Sequence, residues 1–120
     1  MGLFVPKPRF LPGEHLVARR AANHSRGNRA IGGRLFVTQR RLIFAPNVID
    51  RLIGARPWAC RLEDIAAVRD AERTKDQPFS GGMRRRLLVN LRGDGQEFFV
   101  VNHVDDLIQM LRQAVSDAHR

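Results

Sequence analysis

The sequence predicts a mainly β domain in which seven short antiparallel strands are closed by one C-terminal helix. Three observations lead there. Apolar and polar residues alternate in a succession of short runs between Glu14 and Val101, the pattern of half-buried strands. Gly, Asn, Ser and Pro separate those runs at turn-like intervals. The period then changes, and Val104, Leu107, Ile108, Leu111 and Val115 fall at i, i+3, i+4, i+7 and i+11, one face of an amphipathic helix. That stripe has only the strands to bury against, which implies a small barrel or sandwich capped by the helix.

Residues 1–12 carry Pro6, Pro8 and Pro12 and read as an extended N-terminal tail. Residues 13–120 form the domain. "EHLVARRAA" is a first strand and "NHSRGN" a turn-rich loop. "RAIGGRLFVT" is a second strand, where Gly32 and Gly33 suggest a bend or bulge. "RLIFAP" is a third, ended by Pro46. In "NVIDRLIGAR" the apolar residues Val48, Ile49, Leu52 and Ile53 take helical spacing before Gly54, which predicts a loop with about one helical turn. "PWACRL" and "DIAAVRDAE" are the fourth and fifth strands and "RTKDQPFSGG" a loop. "MRRRLLVNLR" and "QEFFVV" are the sixth and seventh, joined by "GDG". Asn102 is the expected N-cap of the helix, with Asp105 and Asp106 in a first turn that favours acids.

The chain has 120 residues and a formal net charge of +9, which suits one domain. The charge is lopsided. Residues 1–60 hold eleven Lys and Arg against Glu14 and Asp50, whereas residues 61–120 hold ten basic and ten acidic residues. Seven arginines and no acid lie between His15 and Ile49. Such a field favours anionic partners: phospholipid headgroups, nucleic acid or an acidic protein face. The competing account is solvated arginine on a surface, in a chain whose only lysines are Lys7 and Lys75.

Several classes find no footing. Cys60 is the single cysteine, which excludes an intramolecular disulfide and a Cys-based zinc site, and beside Trp58 it reads as a buried structural thiol. No run approaches the roughly 20 apolar residues of a membrane span. "MGLFVPKPRFLPG" is too short and proline-broken for a secretory signal, and Pro6 stands where N-myristoylation expects Ser or Thr. This predicts a cytoplasmic protein that meets membrane only peripherally, at its inner face. His15, His24, His103 and His119 sit in no HExxH or Ser/His/Asp arrangement, there is no P-loop or GxGxxG, and no cluster implies a metal or cofactor. A non-catalytic protein is expected. Nucleic-acid binding suits the charge, but the helix carries Asp105, Asp106 and Asp117 rather than an arginine face, and no recognition motif is present.

With these strands in order, "LPGEHLV", "GRLFVTQRRLIFAP", "WACRLEDIAAV", "GDGQEFFV" and the closing helix resemble a GRAM domain, over about Pro12 to Val115. The most specific part is Gly33, Leu35, Val37, Thr38, Arg41, Leu42 and Phe44. The resemblance implies the pleckstrin-homology-like fold, two near-orthogonal antiparallel sheets capped by a C-terminal helix, and a lipid- or protein-binding role. The residues have their own logic. Leu35 and Val37, like Leu42 and Phe44, present one apolar face. Thr38 is placed to bond the turn backbone, Arg41 to pair with Glu63 or Asp64, and Arg40 to point away toward a partner.

By position in a pleckstrin-homology-like fold, Arg19, Arg20, Arg26, Arg29 and Arg34 are candidates for an anionic headgroup, with Arg40 beside them. Val48, Ile49, Leu52 and Ile53 are apolar contact candidates, core if the loop folds back and a membrane or partner wedge if it is exposed. Arg84, Arg85 and Arg86 read as a solvated strand edge. The expected function is peripheral binding to anionic membrane. The alternative is a protein-interaction adaptor that pairs through a sheet edge or the 46–57 loop, with a homodimer among its forms.

Overall fold

A computed structural model describes residues 4–27, 29–71, 86–93 and 95–119. The strands are β1 (Leu16–Arg26), β2 (Arg29–Thr38), β3 (Arg41–Pro46), β4 (Trp58–Arg61), β5 (Ile65–Ala71), β6 (Arg86–Leu91) and β7 (Gln96–Val101). Helix α1 (Val48–Leu52) and a 3-10 turn (Leu62–Asp64) flank β4, and α2 (Val104–Ala118) follows β7. All neighbours are antiparallel, in the order β4-β3-β2-β1-β7-β6-β5. The two expected sheets are therefore one continuous hydrogen-bonded sheet. β1 is the reason: it pairs with β2 throughout and also with β7 through Ala22–Ser25.

The inner face carries Leu35, Val37, Leu42, Phe44, Leu87, Val89 and Phe99, all fully buried. α2 lies across it. Leu107, Ile108 and Leu111 are buried, Val104 and Val115 half-buried at the margin. Each buried leucine contributes about 1.5–3 kcal/mol. On the outer face Phe36, Ile43 and Ala45 are also buried, against Val5 and Phe10 of the N-terminal segment.

Four expectations change. "NHSR" is strand rather than loop, because backbone pairing with both β2 and β7 overrides its turn-like composition. Gly32 and Gly33 make no bulge. The one irregularity in the β1–β2 register lies at Leu16/Ala18, and Gly33 is instead where β2 meets β3 closely. A Cβ there would stand 2.2 Å from the Ala45 carbonyl oxygen. The residue preceding α2 is His103, in the left-handed region (φ 55°) with no side-chain cap bond; the chain reverses one residue later than Asn102. Arg86 is no solvated edge. β6 lies between β5 and β7, and Arg86 is buried with its guanidinium 4.8 Å from the Phe98 ring centre. The expected loop at 73–82, with Arg84 and Arg85, lies outside the described residues.

Arg41 also has a different partner. Its guanidinium grips Glu14 twice, Nε to Oε2 at 2.9 Å and Nη2 to Oε1 at 2.7 Å, while Glu63 and Asp64 pair with exposed Arg61. Thr38 donates to the same carboxylate at 2.7 Å, and its hydroxyl accepts from the Arg40 and Arg41 amides, as the turn requires. The Leu11 amide donates to Oε1 at 2.8 Å. One buried carboxylate thus joins the N-terminal segment, the start of β1 and the β2–β3 turn.

Two outcomes follow from this geometry. Gly33→Ala forces β2 from β3 and lowers unfolding free energy by about 2–3 kcal/mol in denaturant titration. The Arg41 guanidinium holds the Glu14 carboxyl at about 2, against an ordinary 4.5. Its stabilisation is present above pH 4.5 and is lost as pH falls toward 2, an effect of about 3 kcal/mol for a buried group. Glu14→Gln should flatten the stability profile across that window and weaken the fold at neutral pH.

Candidate functional site

The tip of the β1–β2 hairpin and the segment between β3 and β4 meet at one end of the molecule. Gly27 (φ 58°) allows the tight reversal. The second segment is built on Asn47, whose side chain accepts from the Asp50 amide at 2.8 Å and donates to the Asp50 carboxylate at 3.0 Å. Asp50 also accepts from the Gly32 amide at 3.1 Å, and the Asn47 amide donates to the Gly32 carbonyl at 2.9 Å. The Ala55 amide donates back to the Asp50 carbonyl, and the Ala55 side chain is buried. Both feet of the loop are therefore fixed to the sheet.

The crest between those feet is exposed. No residue of α1 is buried. Ile49 is 49% exposed, Leu52 78% and Ile53 63%, whereas Val48 is half-buried beneath them. Phe4, also exposed, accepts from the Val48 amide through its carbonyl. Exposed Arg51 and Arg56 flank these apolar side chains.

The candidate arginines occupy four places. Arg26 and Arg29 face each other across the hairpin tip, next to the crest, because Arg26 Nη2 donates to the Arg56 carbonyl at 3.1 Å. Arg19 and Arg34 are exposed on the outer face. Arg20 is on the inner side, its Nη2 3.6 Å from the Met110 sulfur. Arg40 is exposed at the β2–β3 turn, roughly 30 Å from the tip at about 3.3 Å per strand residue. Of these, Arg26 touches the segment that carries the crest, and Arg29 stands opposite Arg26 at the hairpin tip.

A polar chain centred on one buried side chain lies behind the tip. His24 is fully buried on β1, stacked on Phe99 with ring centres 4.5 Å apart. Its Nε2 meets Glu97 Oε1 at 2.6 Å, and Arg26 Nε donates to its Nδ1 at 3.1 Å. The guanidinium can only donate, so Nδ1 is the acceptor and the proton sits on Nε2. Burial lowers the His24 pKa, opposed by Glu97 and reinforced by the Arg26 charge. A line of hydrogen bonds therefore runs from Glu97 through His24 and Arg26 to the Arg56 carbonyl. Periodicity could not reveal it, since His24 and Glu97 are 73 residues apart. The half-buried Cys60 thiol is pushed up to about 12, chiefly by burial, which disfavours the thiolate, its reactive form.

Among the described residues, no helix is long and apolar enough to cross a membrane, and no three His, Cys, Asp or Glu are grouped to hold a metal ion. Likeness to solved structures supports a pleckstrin-homology-like fold for this antiparallel sheet and its closing helix. The chain is similar to the C-terminal domain of an unknown protein from Leishmania infantum, at TM-score 0.71 and 16% identity over 88% of this chain and 87% of that one. It is also similar to the linker-DH/PH domains of p115-RhoGEF, at TM-score 0.63 and 9% identity, over 88% of this chain and 30% of that one. No protein-family model matches the chain, and no curated protein matches it.

The His24 arrangement has a measurable consequence. Its neutral form contributes stability that is present above pH 6.5 and is lost as pH falls through the lowered folded value. Long-range proton–nitrogen spectra at pH 6.5 should show a neutral ring protonated at Nε2. A predominantly charged ring at that pH would contradict this geometry.

Proposed function

We propose that this chain is a non-catalytic, GRAM-like binding module that attaches peripherally to anionic membrane, at the cytoplasmic face. One observation carries the reading: Ile49, Leu52 and Ile53 are held out to solvent on a crest fixed at both feet, with Arg26, Arg29, Arg51 and Arg56 around it. A contiguous apolar patch rimmed by polar residues commonly marks an interaction site, whereas apolar side chains scattered singly do not. Apolar tips surrounded by guanidinium groups match the two layers of a membrane interface, acyl chains below and phosphates above. Each arginine near an anionic surface adds about 1 kcal/mol. Arg19, Arg34 and Arg40 add to the general field.

Co-sedimentation with vesicles tests this. Binding should require anionic lipid and weaken from low to physiological salt. Leu52→Asp with Ile53→Asp should weaken it roughly a hundredfold. Arg29, Arg51 and Arg56 changed to Glu should lower it more than Arg19, Arg34 and Arg40 changed to Glu. Binding that ignores the crest, or no binding at either salt, would overturn the reading and leave the adaptor function.

A further inference from the structure

The β1 strand has a second, separate feature. It pairs with β2 from Leu16 to Arg26, but with β7 only from Ala22 to Ser25. Along Leu16–Ala21 its other edge carries no strand among the described residues. The chain leaves β7 at Val101 and returns as α2, which packs mainly on β5, the 3-10 turn and β6. A groove of about 400 Å³ remains between α2 and the start of β1, lined by Val17, Gln39, Met110, Gln113, Ala114 and Asp117 among others. Leu16 and Val17 are 40% and 43% exposed at its mouth. Arg20 stands beside the groove, against Met110 of its lining. Its guanidinium donates to the Arg19 carbonyl at 2.8 Å and touches the Met110 sulfur, and no carboxylate among the described residues pairs with it.

We propose that this groove takes an extended peptide that adds to the open edge of β1 as a strand and carries alternating apolar and acidic side chains. An open strand edge supplies backbone donors and acceptors that a peptide can match and an acyl chain cannot. Side chains of an added strand alternate between faces. The inward set rests on Met110 and Ala114. The outward set stands beside exposed Arg19, and Arg20 attracts an acid at the rim. The charge selects the partner: beside the open edge the guanidinium groups of Arg19 and Arg20, which no carboxylate among the described residues pairs with, outweigh the one lining acid, Asp117, and so repel a basic segment and draw an acidic one.

The test uses the whole chain and a displayed library of random peptides about ten residues long. Selection should enrich peptides that alternate apolar and acidic residues. Binding of an enriched peptide, read by fluorescence anisotropy, should fall about tenfold or more in Arg19→Glu/Arg20→Glu and in Val17→Asp. Arg19 and Val17 are exposed, so these variants should keep the native amide spectrum, whereas Ala114→Arg fills the groove at greater risk to the fold. The peptide should slow amide exchange at Val17–Ala21. It should bind Leu52→Asp/Ile53→Asp unchanged, which separates this groove from the membrane crest. Three results would overturn the proposal: no convergent peptide, a peptide indifferent to Arg19, Arg20 and Val17, or protection confined to other strands. Val17→Asp weakening vesicle binding while peptides fail to bind would also overturn it, in favour of lipid.

Discussion

The buried carboxylate of Glu14 is the constraint on which the architecture turns. It is the only acid in the first 49 residues, and its side chain has no exposure to solvent. A charge there is tolerable only with full compensation. Arg41 supplies two charged donors, Thr38 a hydroxyl and Leu11 an amide. Meeting those demands brings three distant pieces of chain into one place. The β2–β3 turn cannot drift, because Thr38 and Arg41 are committed to the same group. The N-terminal segment is held as well, since Arg41 Nη2 also donates to the Arg9 carbonyl at 3.0 Å, and Phe10 and Val5 then cover the outer apolar patch.

From that end the register of β2 and β3 runs without irregularity to the other. Gly33 lets the two strands approach where Ala45 and Pro46 leave the sheet, and Asn47 then starts α1 at a defined angle. The exposed crest is thus the far end of a rigid ladder. This matters energetically. Exposed Leu52 and Ile53 gain nothing in the folded monomer, so the loop that carries them is stabilised by polar bonds at its base. A surface held in one conformation loses less entropy when something covers it.

Much of the fold was legible because it is locally encoded. Alternation gave β2, β3 and β7 nearly residue for residue, and the α2 stripe gave the helix and the face it buries. Legibility failed where long-range pairing decides. The end of β1 has loop-like residues, and only pairing with β7 makes it strand. Arg41 had nearby acids in the sequence, yet its partner lies 27 residues back. Val48, Ile49, Leu52 and Ile53 have the same spacing whether buried or exposed, so their side of the loop depends on Asp50 and Ala55 as anchors. The arginine candidates shared a composition but not a location.

The charge imbalance of the first half looks different once its partners are known. Its single early acid is consumed inside the fold, by Arg41, and Asp50 is consumed at the base of the crest by Asn47 and Gly32. Neither offsets the exposed arginines. Arg26 is held by His24 and the Arg56 carbonyl rather than by a carboxylate, so it keeps its charge at the tip while its position is fixed. The positive field is therefore a product of how the fold uses its acids: the basic half spends both of them on holding the chain in shape, and its exposed guanidinium groups are left to the surroundings.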